Sequence, residues 1–318
     1  MFLAVFLLII GLVMLVFGGE YLVKGSASLA KKWGVSTLVV GLTVVAFGTS
    51  MPELVVNVFS ALRGATDIAI GNIIGSNIAN ILLILGVSAL ILPLAVKEST
   101  TWKEIPFAVL AGWMVLFMGN DILFDGLHEN ILTRTDGLAL LAVFMIFLYY
   151  VFNLAKNGKA EKEEIQVFGW TKSTLFVVLG LVLLFFGGKL LVENAIILAR
   201  LAGMSEALIG LTIVAVGTSL PELVTSAVAA YHKHADIAVG NIVGSNIFNI
   251  FWILGLTSII KPLPFGSGMN FDILAEIIVT LILFLFLFVG SKKKIDRWQG
   301  VSFLVLYFAY VAFLIYRG

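Results

Sequence analysis

The sequence predicts an all-α integral membrane protein, with ten transmembrane helices arranged as two inverted five-helix repeats. Hydrophobic residues make up 60% of the 318 residues, charged residues make up 12%, and the mean hydropathy is +1.09. Soluble globular domains are near 45–50% apolar and about 25% charged. Two further observations support this fold class: an internal duplication at an offset of 169 residues, and charged residues that fall mainly between long apolar segments.

Ten apolar segments are each long enough to approach the roughly 20 residues that a helix needs to cross the hydrocarbon core. They lie near residues 2–23, 35–61, 67–92, 105–120, 136–155, 173–192, 204–230, 236–260, 271–290 and 299–316. The charged stretch 156–172 is predicted to be a linker between a first half, 1–155, and a second half, 173–318. Because five is odd, the second half enters the membrane with opposite polarity, which is typical of secondary transporters with sites at the repeat interface.

The distribution of Lys and Arg predicts the orientation, since cytoplasmic loops are enriched in these residues. Of the 20 basic residues, fourteen fall on the side of the linker and six on the side of the termini. We therefore expect a cell (plasma or inner) membrane protein with both termini outside and a cytoplasmic linker. The first segment shares its glycines with the sixth at the same offset, so we expect it to be retained rather than cleaved as a signal peptide.

The duplicated stretches, 41–94 and 210–263, carry polar residues in apolar surroundings, and roughly three in five of their positions are identical. Gly48-Thr-Ser-Met-Pro-Glu53 recurs as Gly217-Thr-Ser-Leu-Pro-Glu222, and Gly75-Ser-Asn-Ile-Ala-Asn80 recurs as Gly244-Ser-Asn-Ile-Phe-Asn249. An ionisable side chain inside a transmembrane segment costs several kcal/mol and normally faces the bundle interior or a water-filled path. Both glutamates are therefore predicted to mark a transport site.

The residues of this site are hard oxygen donors. Pro52 and Pro221 are predicted to break their helices and free backbone carbonyls, which membrane interiors tolerate where a cavity or ligand satisfies them. Ca²⁺ takes six to eight oxygen ligands, and Na⁺ accepts similar ones. The chain has no cysteine and no histidine within the repeat cores, so zinc and copper fit poorly. No nucleophile or metal set accompanies the acids, so an enzyme is not expected.

With these motifs the sequence resembles the Ca²⁺/cation antiporter superfamily, specifically the prokaryotic-type sodium/calcium exchangers with paired repeats. The resemblance implies cation sites near the bilayer midplane and alternating access through sliding of the first and sixth helices. It implies a set of metal ligands at Glu53, Glu222, Thr49, Thr218, Ser50, Ser219, Ser76, Ser245, Asn80 and Asn249, with the carbonyls of Ala46 and Ala215. Asn77 and Asn246 are either further ligands or residues that cap or cross-link helices.

The resemblance implies Na⁺/Ca²⁺ antiport that extrudes Ca²⁺. Some relatives carry Asp at one of the positions of Asn80 and Asn249, and K⁺-dependent members rely on it, so two asparagines favour K⁺-independent transport. H⁺/Ca²⁺ antiport stays open because carboxylates also carry protons, although the many neutral hydroxyl groups favour Na⁺. A passive cation channel would need the same oxygens. The expected partners are the lipid bilayer and the transported ions, without nucleic acid, cofactor or obligatory protein partner. Glu276 in the ninth segment is expected to make a local interaction.

Overall fold

The computed structural model describes residues 2–124, 126, 128–157, 166–203, 215–266 and 268–317 and is mostly helical. In chain order the helices are α1 (Phe2–Trp33), α2 (Thr37–Thr49), α3 (Met51–Leu62), α4 (Ile68–Ile91), α5 (Thr100–Met118), α6 (Asp121–Phe124), α7 (Arg134–Asn157), α8 (Trp170–Leu201), α9 (Ala215–Gly217), α10 (Leu220–Tyr231), α11 (Ala235–Ile260), α12 (Met269–Phe286) and α13 (Arg297–Arg317). The described residues also form four two-residue strands: β1 (Leu94–Ala95), β2 (Ile131–Leu132), β3 (Leu263–Pro264) and β4 (Lys294–Ile295).

The described helices confirm a multi-pass membrane protein. Eight of them are long and apolar enough to span a bilayer, and the bent pair α2 and α3 makes a ninth span. The predicted segment 204–230 is described only from residue 215 onward, so the count of ten helices stays a prediction. The prediction for the first segment was too short, since α1 continues for 32 residues to Trp33.

Helices α1 and α8 pack along each other through glycines that the two halves share. A Cβ added to Gly11 would lie 2.8 Å from the carbonyl oxygen of Gly187, and one added to Gly180 would lie 2.6 Å from the amide nitrogen of Leu22. Small residues allow membrane helices to approach with their backbones nearly in contact, which strengthens packing where lipid gives no hydrophobic drive. Any larger side chain at these positions would force the two helices apart.

The helix break predicted at the proline motif is present in both halves. In the first half α2 ends at Thr49 and α3 begins at Met51, with a bend of 43° between them. Pro52 lies in the first turn of α3, where its missing N–H leaves no hydrogen bond unmade and its fixed φ suits the helix start. In the second half Pro221 occupies the same place in α10, near its start after Ser219.

Two small antiparallel pairs join the halves at their connecting loops. Strand β1 pairs with β4, and β2 pairs with β3, so each pair contains one strand from each half. Between these loops, α4 and α11 form the centre of the bundle, and α11 is buried on nearly all sides. Both centre helices contain a π-helical stretch, Asn80–Ile84 and Phe248–Leu254, next to the polar residues of the second motif.

Candidate functional site

The two glutamates lie at the centre of the bundle, and each is held by a serine of the other half. Ser50 donates a hydrogen bond of 3.1 Å to Glu222 Oε1, and Ser219 donates one of 3.3 Å to Glu53 Oε1. Ser76 also donates to Glu53 Oε1, at 3.3 Å, and its hydroxyl oxygen lies 2.8 Å from that of Ser219. All of these residues are at most 2% exposed. The helix breaks thus bring carboxylates and hydroxyls from both motifs to one place.

Two threonines also form hydrogen bonds between the halves, and their partners are residues that were not predicted from the sequence. Thr49 donates 3.0 Å to Asn241 Oδ1 on α11, and Thr218 donates 3.3 Å to Asn72 Oδ1 on α4. Both asparagines follow a glycine in the duplicated stretch and stand at the same offset from each other as the two glutamates. That duplication was the signal that could have identified them.

Four asparagines form a second layer, the amide ring, defined by Asn77, Asn80, Asn246 and Asn249. Asn77 and Asn246 donate to each other's backbone carbonyl, both at 3.3 Å. Asn80 donates 2.8 Å to Asn246 Oδ1, and Asn249 donates 3.0 Å to Asn77 Oδ1. Asn77 and Asn246 therefore cross-link the halves, one of the two roles predicted for them.

Several oxygens of this region are buried and lack a hydrogen-bond partner among the described residues. They are Glu53 Oε2, Glu222 Oε2, Asn80 Oδ1, Asn249 Oδ1 and Ser245 Oγ. Buried polar atoms are normally paired, so unpaired oxygens gathered at one place are what a dehydrated cation would use. Within the described ranges no cluster of three or more His, Asp or Glu residues could hold a metal ion, so neutral oxygens would have to supply most ligands.

The predicted carbonyl ligands differ in how much the structure says of them. The carbonyl oxygen of Ala46 already accepts the amide of Ser50 at 3.0 Å, and it lies 3.4 Å from the hydroxyl oxygen of Thr49, which donates to Asn241. Ala215 is the first described residue of α9, and the amide of Ser219 bonds to Val216 rather than to it, at 3.1 Å. The Ala46 carbonyl is therefore already used by a helical hydrogen bond, whereas the amide of Ser219 does not use the Ala215 carbonyl.

The two halves differ in how the site is covered. We call the region between α3 and α8 the first-half path, and it contains a cavity. A space of about 250 Å³ lies between α3 and α8 and reaches Thr218, which is only partly buried although Thr49 is fully buried. At its wall a Cβ added to Gly188 would meet only Leu15 Cδ2 on the neighbouring helix α1, at 3.9 Å. The lining residues are Pro52, Val55, Val56, Phe185, Gly188, Lys189, Val192, Gly217, Thr218 and Pro221.

The equivalent region of the other half, between α10 and α1, is the second-half path, and it is closed by side-chain packing. A Cβ added to Gly19, the mate of Gly188, would lie 3.0 Å from Val224 Cγ1 and 3.3 Å from Val228 Cγ2. Beyond this packing, the Glu20 carboxylate lies 2.8 Å from His232 Nε2 and 2.7 Å from Lys24 Nζ. We call the side chains of Glu20, Lys24 and His232 the latch. The structure thus pairs a cavity on one side of the site with a packed and ion-paired contact on the other.

Glu276 does not make the local interaction that the sequence suggested. It lies on α12, is 1% exposed, and accepts a hydrogen bond of 3.4 Å from Asn77 Nδ2 of the amide ring, 199 residues away in sequence. Its second oxygen, Oε2, is buried without a hydrogen-bond partner among the described residues. The expectation was wrong because sequence distance does not reveal that α12 packs against α4.

Comparison with known proteins places this geometry in a family. The sodium/calcium exchanger protein family matches residues 3–153 and 172–316. The putative antiporter CaxA of Alkalimonas amylolytica is 37% identical over 98% of both chains, and the sodium/calcium exchanger MaX1 of Methanosarcina acetivorans is 34% identical over 98% of both. A solved structure of the sodium-calcium exchanger NCX_Mj superposes with a TM-score of 0.83 at 35% identity, covering 98% of each chain. The chain belongs to the sodium/calcium exchanger family of membrane antiporters.

Proposed function

We propose that this chain is a Na⁺/Ca²⁺ antiporter that works by alternating access and extrudes Ca²⁺ with the inward Na⁺ gradient. The observation that supports this most is the crossed bonding of the glutamates, in which Ser50 donates to Glu222 and Ser219 donates to Glu53. A site whose ligands come from both inverted halves lies at their interface, where movement of one part against the other can expose it first to one side of the membrane and then to the other. Two carboxylates balance one Ca²⁺ or a set of Na⁺ ions.

In this proposal Glu53 and Glu222 are shared by Ca²⁺ and Na⁺, and neutral oxygens complete the coordination. Thr49 and Thr218 assist Ca²⁺ through their backbone carbonyls, and the remaining oxygens serve flanking Na⁺ sites or the centre. These are the oxygens of Ser50, Ser219, Ser76, Ser245, Asn80, Asn249 and the carbonyls of Ala46 and Ala215. Because both central asparagines are neutral, we propose transport without K⁺.

We further propose ten spans, with the halves 1–155 and 173–318 inverted about the membrane plane and the linker 156–172 in the cytoplasm. The basic residues support this orientation. The first-half path would then open to the outside, because α3 ends on the same side as the N-terminus of α1. The latch would close the cytoplasmic side.

The test is ⁴⁵Ca²⁺ uptake into proteoliposomes that contain the purified chain. Vesicles loaded with Na⁺ are compared with matched vesicles loaded with K⁺, or with choline under an imposed pH gradient. We expect uptake from Na⁺-loaded vesicles alone, with no requirement for K⁺. Uptake driven by the pH gradient alone would assign the chain to H⁺/Ca²⁺ antiport, and unitary currents in a planar bilayer would assign it to the channels.

A further inference from the structure

An asparagine of the amide ring must be held in one orientation to bind a cation, whereas a glutamate need not be. A carboxylate offers oxygen at both ends, whereas an asparagine offers oxygen at one end and an N–H donor at the other. Asn249 can face a cation only if its Nδ2 points away, and its Oδ1 is buried and lacks a partner among the described residues, as such a role needs. Something must therefore fix the orientation of this amide.

The hydrogen bonds around Asn249 form a relay that begins at Glu276. Glu276 Oε1 accepts from Asn77 Nδ2 at 3.4 Å, and Asn77 Oδ1 accepts from Asn249 Nδ2 at 3.0 Å, which leaves Asn249 Oδ1 for a ligand. Two further acceptors support these orientations, because Asn249 Nδ2 also donates to Ser76 Oγ and Asn77 Nδ2 also donates to the carbonyl of Asn246, both at 3.3 Å. If Asn77 turned over, its oxygen would face the Glu276 carboxylate and its nitrogen would face the nitrogen of Asn249. An acidic acceptor can receive from an amide nitrogen but repels an amide oxygen.

The relay exists on one side of the ring only. In the mirror arrangement Asn246 accepts from Asn80, but within the described part of the chain no carboxylate accepts from Asn246 Nδ2. The position that matches Glu276 at the repeat offset is Phe107. Glu276 therefore has no counterpart in the first half, and the repeat motifs do not reveal it.

The surroundings of Glu276 are built to admit its carboxylate. On the facing helix α5, a Cβ added to Gly112 would meet Glu276 Oε2 and would lie 2.6 Å from Ile277 Cγ1, so glycine leaves the space in which this carboxylate lies. Burying a carboxylate in an apolar helix contact costs free energy, and such residues in membrane segments are typically functional. Packing alone does not explain an acid here, because an apolar side chain would fill the space without that cost.

We propose that Glu276 is a positioning residue of the cation site, which acts through Asn77 to turn the Oδ1 of Asn249 toward the ion. This rests on the proposed function, in that Ca²⁺ is taken to bind beside Asn249. Replacing Glu276 removes one of the hydrogen bonds that hold Asn77 in its orientation, so Ca²⁺ affinity falls while the glutamates and the fold are kept.

The experiment measures Ca²⁺ binding by the purified full chain in detergent and choline buffer, through equilibrium dialysis with ⁴⁵Ca²⁺. We expect Glu276→Met to weaken binding about tenfold, a difference of about 1.4 kcal/mol. Glu276→Gln weakens it less, because its side-chain carbonyl still accepts from Asn77. Glu104→Gln is the matched control: Glu104 is equally buried, but its partner is Tyr150 rather than the ring, and affinity is expected to stay unchanged.

The decisive comparison repeats Glu276→Met in an Asn249→Asp background. A carboxylate at position 249 presents an oxygen to the cation in either orientation. The loss of Ca²⁺ affinity caused by Glu276→Met is therefore expected to shrink to less than about twofold. Equal losses in both backgrounds would assign Glu276 a purely structural role and overturn the inference. If Glu276→Met does not fold, Glu276→Gln carries the same comparison. Absence of Ca²⁺ binding by the unaltered chain would instead overturn the proposed function, and this inference with it.

Discussion

The first-half path and the second-half path are built from duplicated sequence, yet one is a cavity and the other is closed. Gly188 on α8 borders the open space beside α3, whereas its mate Gly19 on α1 is packed against α10. The same repeat motifs thus support two different contacts at once. The difference between the two sides of the site therefore lies in how α1 and α8 pack against the repeats, and not in the motifs themselves.

The largest effect is expected at the two glutamates, which the two halves contribute equally. Glu53→Gln and Glu222→Gln each remove one of the two crossed carboxylates while keeping the volume, and we expect each to lower Ca²⁺ exchange by about 100-fold or more, equivalent to about 2.7 kcal/mol. Uptake of ⁴⁵Ca²⁺ measures the loss, and a single symmetric gel-filtration peak shows that the variant is folded. Normal exchange by either variant would refute the site.

A second pair of variants exploits the glycines, where the halves are unequal. Gly19→Val drives a side chain into Val224 and Val228, so we expect a loss of about 1–3 kcal/mol in stability, seen as a lower Tm. Gly188→Val enters the open cavity, so its Tm is expected to stay unchanged. Transport by Gly188→Val is nevertheless expected to fail, because the cavity can no longer close. Equal Tm values for the two variants would contradict the asymmetry between the paths.

The latch offers a third, smaller test. Ion pairs that solvent reaches contribute about 0.2–1 kcal/mol, and the latch side chains are partly exposed, so Glu20→Gln is expected to open the second-half path a few-fold more often. The chain contains no cysteine, so a single Val228→Cys variant reports on this path through its rate of reaction with a membrane-impermeant maleimide. We expect Glu20→Gln to raise that rate.

The matched control for the latch is Lys189→Gln, at the position equivalent to Glu20. Lys189 borders the cavity and lies 3.8 Å from Glu193 on its own helix, with both side chains more than half exposed. This substitution is expected to leave the labelling of Val228→Cys unchanged. A similar rise for both substitutions would mean that helix stability, and not the latch, limits access.

The smallest effect is expected at Asn57, whose equivalent in the second half is Ser226. Its mate Ser226 accepts from Asn241 at 2.9 Å, whereas both side-chain polar atoms of Asn57, and Nδ2 of Asn72, are buried without partners among the described residues. Asn57→Ser removes two unpaired buried atoms, so we expect a gain of up to about 1 kcal/mol. A lowered Tm in thermal unfolding would show that Asn57 has a partner that the protein atoms do not provide.

The membrane class, the helix breaks, and the glutamates and serines that meet at the centre could be predicted from the sequence, because polar residues that recur in apolar surroundings mark a shared buried site. The difference between the paths could not be predicted, since Gly19 and Gly188 stand in near-identical contexts. Nor could the contact between Glu276 and Asn77, which depends on how α12 crosses α4. Helix lengths were also underestimated, because Lys24 and Lys31 lie within α1 rather than in a loop.

The exchanged hydrogen bonds have a consequence for the origin of the fold. Thr49 bonds to Asn241 and Thr218 to Asn72, and the serines and glutamates repeat this pattern. A contact in which residue i meets j and the mate of j meets the mate of i is an isologous interface, the kind found in symmetric homodimers. A five-helix polypeptide inserted in both orientations would already contain the bonds of Ser50 to Glu222 and of Thr49 to Asn241, together with their mates. Duplication of the sequence places two such subunits in one chain. Each half can then acquire its own substitutions, as the difference between Glu276 and Phe107 illustrates.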